Sequence, residues 1–225
     1  METKSYYQAF IFDMDGTIVS TLEDITDAVN YSLTYHHFPL VSYEEAKGYL
    51  GNGSVKLIER SMHHDHMEIF QSVFDVYYQY YKEHYCIKTR PYEGLIPALE
   101  YAKEKGVLLF VYTNKPEKIA LEILSYCFPK GMFTKLVGVP LGGKTKPDPE
   151  PFFDSTKEYH LDYGKVAYFG DSVTDIETAT NLHAKTICSV LWGFQSKEKL
   201  SSFSLKPTCY LSSPMEIRNI VDRGN

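Results

Sequence analysis

Basic residues are scarce in this chain of 225 residues, where 23 lysines and arginines stand against 29 acidic residues and the formal net charge is −6. A general nucleic-acid-binding protein usually presents a basic face. The charge balance therefore predicts a protein without a nucleic-acid partner. It does not exclude one basic pocket for a small anion, because the charge of the whole chain says nothing about a single cleft.

Cysteines are also few, and long apolar runs are missing. The four cysteines form no CxxC pair, and three lie in or beside apolar runs, which favours buried free thiols over disulfides or a zinc site. The longest strongly apolar run, Val107 to Tyr112, is too short to span a bilayer. The first residues contain no hydrophobic signal core. We therefore expect a cytoplasmic protein with no membrane partner.

The chain does contain enough apolar residues, 44% of the total, to bury a substantial core. Short apolar runs with the length of buried strands recur along it, and helical patterns separate them. Strands that alternate with single helices predict parallel βα units, hence an α/β fold with a doubly wound parallel sheet. The predicted strands cover residues 9–12, 107–112, 136–139, 166–169, 186–190 and, more weakly, 209–211.

Residues 20–89 interrupt this alternation. Two capping boxes, which begin at Ser20 and Ser42, predict helix starts, and no strand candidate lies between them and residue 89. The aromatic stripe from Tyr77 to Tyr85 has helical spacing, which favours the core of a helical domain, or its interface, over a base-stacking surface. We predict a helical domain at 20–89, inserted into an α/β core domain formed by 1–19 and 90–225.

Polar residues suited to one chemistry follow each of the strong strands. Ligands of parallel α/β sheets bind beyond the carboxyl ends of the strands, so these residues are expected to meet in one site. They are Asp13 and Asp15, with the backbone N–H of Met14 between them, after the first strand, Thr113 and Asn114 after the second, Lys146 after the third, and Asp171 and Asp175 after the fourth.

The carboxylates in this set favour phosphoryl transfer assisted by Mg²⁺. Asp13, Asp15 and Asp171 offer the hard oxygen ligands that this cation prefers, and the cation would relieve the repulsion between them. One aspartate can act as a nucleophile that forms an aspartyl-phosphate. Another can protonate the leaving oxygen and later deprotonate water. The residue types alone do not say which aspartate has which role.

The remaining residues are suited to binding the phosphate group. Lys146 is a compact positive charge, and Thr113, Asn114 and the backbone N–H groups of residues 14–16 can hold phosphate oxygens. Each motif also has an ordinary structural explanation. Asp171 and Asp175, for example, could simply cap a helix.

Taken together, the motifs resemble those of haloacid dehalogenase-type phosphatases. They are DMDGT from Asp13, the Thr113-Asn114 pair, KPDPEP from Lys146 and GDSVTD from Gly170 to Asp175. The resemblance covers essentially the whole chain, and the helical insert corresponds to the cap domain of the family. Within the cap, the segment from Gly48 to Ser61 resembles the phosphoglycolate phosphatase subgroup, in which a GxG loop precedes a helix.

This resemblance assigns roles that the residue types left open. It implies that Asp13 is the nucleophile and a metal ligand, and that Asp15 is the general acid/base with only its backbone carbonyl on the metal. Dehalogenases lack this acid, so Asp15 favours phosphate chemistry. The resemblance further implies phosphate binding by Thr113 and Lys146, Mg²⁺ ligation by Asp171 and support of that site by Asp175.

We therefore expect a Mg²⁺-dependent phosphomonoester hydrolase that acts on a small organic phosphate such as 2-phosphoglycolate, as a monomer or homodimer. The alternatives within this fold are a nucleotide or pyrophosphate phosphatase and a sugar-phosphate mutase. A catalytically silent protein that binds a phosphometabolite is an alternative of another class. The intact set of reactive residues argues against it, because a binder needs neither nucleophile nor acid/base.

Overall fold

The computed structural model describes residues 5–139 and 143–223. Its strands are β1 (Ala9–Phe12), β2 (Val19–Ser20), β3 (Arg90–Pro91), β4 (Leu108–Pro116), β5 (Lys135–Val139), β6 (Val166–Gly170), β7 (Thr186–Val190) and β8 (Cys209–Leu211). Six of them form one parallel sheet in the order β5-β4-β1-β6-β7-β8. The predicted α/β class and all six predicted strands are confirmed.

Ten α-helices accompany the sheet in the described part of the chain. They are α1 (Leu22–Tyr35), α2 (Tyr43–Tyr49), α3 (Gly53–Ser61), α4 (Phe70–His84), α5 (Leu95–Glu104), α6 (Glu117–Cys127), α7 (Glu150–Thr156), α8 (Val173–Asn181), α9 (Lys197–Ser202) and α10 (Ile217–Asp222). Among the residues described, no helix combines the length and the apolar character needed to cross a bilayer.

The central strand β1 is buried on both faces. Phe10 and Phe12 pack into one hydrophobic cluster, while Ala9 and Ile11 pack into a second cluster on the opposite face. This division follows from the two-residue repeat of a strand, which sends successive side chains to opposite faces. Helices that cover both faces explain why the strand sequences are continuously apolar. Because β1 is the third of six strands, it ends in the middle of the sheet edge.

Helices α1 to α4 lie together in the sequence between β2 and β3, as predicted for the insert. The two short strands pair with each other, Val19 opposite Pro91 and Ser20 opposite Arg90. The chain thus leaves and re-enters the α/β part side by side. The predicted domain limits, 19/20 and 89/90, fall at this ladder, and the division into two domains stays a prediction.

One of the two predicted capping boxes is wrong. Ser20 belongs to β2, so it cannot cap α1, whose N-cap is Thr21 without a side-chain cap hydrogen bond. The second box is confirmed, since the Ser42 hydroxyl accepts from the Glu45 backbone and the Glu45 carboxylate accepts from the Ser42 backbone. The four cysteines are free thiols as predicted, although only Cys188 is fully buried.

Asp24 ties the beginning of the cap to its end. The side chain of this α1 residue is buried, and its carboxylate accepts hydrogen bonds from the backbone N–H groups of Lys88 (2.9 and 3.0 Å) and Thr89 (2.8 Å). Hydrogen bonds to a charged, buried acceptor are stronger than those between neutral groups. This carboxylate therefore holds the returning chain next to the outgoing one.

We predict that Asp24→Asn destabilises the protein by about 1–3 kcal/mol, because an amide has only one acceptor atom and places donors against backbone N–H groups. Urea denaturation followed by circular dichroism measures the change. Asp27→Asn is the matched control. Its carboxylate lies three residues away and binds Lys88 at 2.7 Å, but its side chain is 39% exposed, so its loss should cost less than about 1 kcal/mol. Equal losses in the two variants would contradict the role given to Asp24.

Candidate active site

The polar residues predicted at the strand ends meet at the carboxyl edge of the sheet. Asp13 directly follows the central strand β1, and Asp171 directly follows its neighbour β6. On the other side of β1, strand β4 extends past its apolar part and carries Thr113 and Asn114. Since neighbouring parallel strands end at the same edge, these side chains face one space.

Lys146 is the positive centre of this space. Its ammonium group, with a side chain only 3% exposed, donates to the carboxylates of Asp13 and Asp175, the latter at 2.7 Å. Tyr168 also donates to Asp175, at 3.0 Å. Burial opposes the charge of the lysine, but the two carboxylates outweigh it and raise the pKa of Lys146 well above its ordinary value. Lys146 is therefore cationic in the neutral range.

Three buried carboxylates lie against this lysine. Oxygen atoms of Asp13, Asp171 and Asp175 all lie within 4.8 Å of one another. Burial, opposed by Lys146 and reinforced by Asp175, raises the pKa of Asp13 to about 7. Burial and the carboxylates of Asp175 and Asp13 raise the pKa of Asp171 well above its ordinary value. One lysine thus leaves the cluster short of positive charge, which fits a divalent cation with oxygen ligands.

Hydrogen bonds and close backbone packing fix the position of the Asp171 carboxylate. Its Oδ2 accepts from the backbone N–H of Phe194 at 2.6 Å, and its Oδ1 accepts from Thr17 at 3.3 Å. Glycine is required at two neighbouring positions, because a Cβ atom on Gly16 or Gly193 would lie 2.4 or 2.3 Å from an atom of Asp171. The segment at 191–194 therefore packs against Asp171 and restricts the position of its carboxylate.

Asp175 supports the cluster through hydrogen bonds. Besides the contacts of its Oδ1 with Lys146 and Tyr168, its Oδ2 accepts from the backbone and hydroxyl of Ser172, at 3.0 and 2.5 Å. Both oxygens are thus engaged, and the role of Asp175 as support of a metal site stays a prediction. Asp13 and Asp171 are the residues that would hold Mg²⁺. Asp15 is not a member of the carboxylate cluster, and its predicted metal contact through the backbone carbonyl stays a prediction.

The Asp15 carboxylate is held apart from that of Asp13 by two other partners. Its Oδ1 accepts from the hydroxyl of Thr21 at 2.7 Å. Lys115 donates to both of its oxygens, at 2.9 and 3.1 Å. Lys115 was not predicted as a site residue, although it follows Thr113 and Asn114 directly. The sequence signal for Lys115 was its position shortly after the end of a predicted strand, two residues after Thr113.

The residues predicted to bind phosphate lie at the site, with differing orientations. Thr113 is buried there. Both ends of the Asn114 side chain bond to the backbone of Lys146, at 2.7 and 3.4 Å. The N–H of Gly16 is also engaged, since it donates to the carbonyl of Val19, and Met14 is fully buried. Asn114 thus fixes the backbone of Lys146, while phosphate binding by Met14, Thr113, Asn114 and Lys146 stays a prediction.

The cap forms the opposite wall of the cavity. Its contribution is mainly apolar and aromatic, and comprises Ile25, Leu50, Leu57, Tyr77, Tyr78 and Tyr81 together with Gly51 and the first two residues of α3, Gly53 and Ser54. The aromatic stripe of α4 therefore lies at the cap–core interface, as predicted. The cap cations Lys56 and Arg60 bond to Glu59 and to the loop before α3, respectively, and neither lines this cavity.

Comparison with known proteins agrees with this geometry. The sequence model of the family described as haloacid dehalogenase-like hydrolase matches residues 10–189, a range that contains every site residue predicted from the sequence. The chain belongs to the haloacid dehalogenase-like hydrolases. The predicted family and the prediction of a phosphatase of this type are thereby confirmed.

Individual relatives indicate to which branch of the family the chain is most similar. The chain is 29% identical over 215 residues to a phosphoglycolate phosphatase of Aquifex aeolicus, covering 96% of this chain and 97% of the relative. It is 30% identical over 173 residues to a phosphoglycolate phosphatase of Haemophilus influenzae, covering 73% and 77%. An N-acetylmuramic acid 6-phosphate phosphatase of Pseudomonas aeruginosa is 25% identical over 219 residues, with 96% of both chains covered.

Solved structures show the same fold. A Lactobacillus delbrueckii protein, whose assignment as a phosphoglycolate phosphatase is itself a prediction, superposes with a TM-score of 0.89 at 28% identity, covering 96% of this chain and 98% of the other. This haloacid dehalogenase-like phosphatase therefore falls in the phosphoglycolate phosphatase-like branch. The match over nearly the whole length includes the cap, so the insert is a shared part of the fold.

We predict that Mg²⁺ stabilises the protein more at pH 8 than at pH 6. The raised pKa of Asp13, about 7, means that the metal-free folded state gains stability from a bound proton. This gain is complete below the unfolded pKa, about 3.9, and is lost as the pH rises through about 7. Because Mg²⁺ competes with that proton, its stabilising effect must grow over the same range. Melting temperatures with Mg²⁺ and with chelator at both pH values measure this.

Two variants control the experiment. Asp171→Asn removes one carboxylate of the cluster and should abolish most of the Mg²⁺-dependent rise in melting temperature at both pH values. Asp27→Asn removes an exposed carboxylate of the cap and should keep the full rise. A rise that is equal at the two pH values, or larger at pH 6, would contradict the cluster as the metal site.

Proposed function

We propose that this chain is a Mg²⁺-dependent phosphomonoester hydrolase that works through an aspartyl-phosphate on Asp13. The observation that carries the proposal is the separation of the two aspartates at the end of β1. The Asp13 carboxylate accepts a hydrogen bond from Lys146 in the carboxylate cluster, whereas the Asp15 carboxylate accepts from Lys115 and Thr21. Neighbouring carboxylates in different environments are the usual basis of a division between nucleophile and acid/base.

In the first step, an oxygen of Asp13 attacks the phosphorus of the ester. A bond forms between this oxygen and phosphorus while the bond from phosphorus to the ester oxygen breaks. Asp15, in its protonated form, gives its proton to the departing oxygen, so that an alcohol leaves instead of an alkoxide. Lys146 keeps the attacking carboxylate oriented and balances the negative charge of the phosphoryl group.

In the second step, Asp15 acts as a base. Its carboxylate takes a proton from a water molecule, the water oxygen attacks phosphorus, and Asp13 and inorganic phosphate are released. The aromatic cap wall excludes bulk water while the intermediate exists. When bound, Mg²⁺ would be held by Asp13 and Asp171 and would supply positive charge that offsets the charge of the phosphate and of the carboxylates.

The proposed substrate is a small organic phosphate, with 2-phosphoglycolate as the first compound to test. Support comes from the relatives named above, two of which are phosphoglycolate phosphatases, and from the resemblance of the loop before α3 to that subgroup. The N-acetylmuramic acid 6-phosphate phosphatase makes sugar phosphates the second class to test. A cytoplasmic location and a monomeric or dimeric state stay predictions from the sequence.

A phosphate-release panel tests the proposal. It contains 2-phosphoglycolate, hexose phosphates, nucleotides and pyrophosphate, each with Mg²⁺ and with chelator. We expect Mg²⁺-dependent release from at least one small monoester. Transfer of the phosphoryl group to another hydroxyl without release would indicate a mutase. Binding without turnover of any compound would indicate a silent phosphometabolite-binding protein, and either result would overturn the hydrolase proposal.

The nucleophile is tested by Asp13→Asn. We expect a loss of kcat of about 10³-fold or more, because the covalent route is removed while the fold is kept. Asp27→Asn, an equivalent change outside the cavity, should retain wild-type activity. If Asp13→Asn remained within a few-fold of wild type, Asp13 could not be the attacking group.

A further inference from the structure

We propose that Lys115 is the positioning residue for Asp15, and that the cap completes this arrangement by placing the ring of Tyr81 over the lysine ammonium group. The inference rests on the hydrolase function proposed above. It assigns a role to a buried cation that neither phosphate binding nor the carboxylate cluster uses. Lys115 and Lys146 are the only lysines or arginines among the described residues that line the cavity.

Backbone structure directs Lys115 toward Asp15. The pairing of β4 with β5 shifts register between Tyr112 and Pro116, as happens at a β-bulge or a similar strand irregularity. A bulge changes the direction in which side chains leave the strand, and bulges are frequent beside active sites. Lys115 lies within this irregular stretch. Its side chain is 5% exposed although the residue lies at the end of a strand.

The contact between Lys115 and Asp15 fixes the orientation of the carboxylate. The ammonium group donates to both carboxylate oxygens, at 2.9 and 3.1 Å, and Thr21 holds Oδ1 at 2.7 Å. Two anchors from different elements leave the carboxylate little rotational freedom. Charge-assisted hydrogen bonds of this kind are the stronger ones in proteins. A proton-transfer group gains most from such preorganisation, because a small displacement from the reacting atom costs rate.

The ammonium group also stabilises the product of proton transfer. As Asp15 gives its proton to the leaving oxygen, negative charge develops on the carboxylate. A fixed and buried positive charge beside it stabilises the transition state more than the ground state. Lys115 therefore matters most for esters whose leaving oxygen needs a proton.

The cap contributes through Tyr81. The ammonium nitrogen of Lys115 lies 4.9 Å from the centre of the Tyr81 ring, within the range of a cation–π interaction. Tyr81 is 3% exposed and stacks on Tyr77 at 5.7 Å between ring centres. The two rings belong to α4, whereas Lys115 belongs to the α/β part of the chain. The acid/base group is thus fully held only when the cap lies over the sheet edge.

The test compares leaving groups. p-Nitrophenolate departs from a phosphate ester without a proton, whereas an alkoxide requires one. For Lys115→Met, we expect kcat/KM to fall about 100-fold for the best alkyl ester of the panel, and less than about 5-fold for p-nitrophenyl phosphate. kcat/KM reports the step in which the leaving group departs. Lys118→Met, which removes an exposed lysine three residues later, should leave both values unchanged.

A pair of cap variants tests the contribution of the ring. Tyr81→Leu removes the ring and should lower kcat/KM for the alkyl ester by about 3- to 30-fold more than for p-nitrophenyl phosphate. Tyr81→Phe keeps the ring, and the Tyr81 hydroxyl has no hydrogen-bond partner among the described residues. Its ratio of the two kcat/KM values should therefore remain that of wild type, whatever happens to the absolute rates.

The outcomes separate this inference from the proposed function. A wild-type protein that hydrolyses none of the esters overturns the hydrolase proposal and the inference with it. An active wild type whose Lys115→Met variant loses both activities equally, or neither, overturns only the positioning role. If circular dichroism shows that Lys115→Met does not fold, the Tyr81 pair decides. A ratio of the two kcat/KM values that changes in Tyr81→Leu but not in Tyr81→Phe supports the inference. A ratio that stays unchanged in Tyr81→Leu contradicts it.

Discussion

The burial of negative charge at one edge of the sheet is the constraint on which the rest of this structure depends. Three carboxylates have oxygens within 4.8 Å of one another, and a single lysine, Lys146, lies among them. Isolated buried charges are expensive, and the fold surrounds this cluster with hydrogen-bond donors, among them the hydroxyl of Tyr168, and with the close-packed glycines Gly16 and Gly193. One lysine against three carboxylates leaves the cluster short of positive charge, and this deficit connects the electrostatics of the site to its proposed chemistry.

A second lysine gives the two neighbouring aspartates different environments. Asp13 and Asp15 are separated by one residue, yet one lies in the carboxylate cluster and the other lies on Lys115 and Thr21. Thr21 is the N-cap of the first cap helix. The proposed acid/base therefore lies where the chain passes from the sheet into the helical insert. Tyr81 of that insert contacts Lys115, the lysine that binds Asp15.

Residues at strand ends were predictable because their positions follow from topology alone. Apolar runs identified the strands, parallel strands end together, and Asp13 and Asp171 had to meet. The direction of a side chain does not follow from topology. The Asn114 side chain bonds to the backbone of Lys146. The contact of Lys115 with Asp15 was not predicted, because it depends on the register shift in β4 and on the cap. The Ser20 box failed because the two-residue strand around it has no apolar run to reveal it.

Identification of the residue that carries the phosphoryl group tests the central claim most directly. The enzyme is quenched during turnover and treated with borohydride, which reduces an aspartyl-phosphate to homoserine, and its peptides are analysed by mass spectrometry. We predict homoserine at position 13, an unchanged aspartate at position 15, and no homoserine when Mg²⁺ is absent. Homoserine at position 15, or none at either position during active turnover, would contradict the central claim.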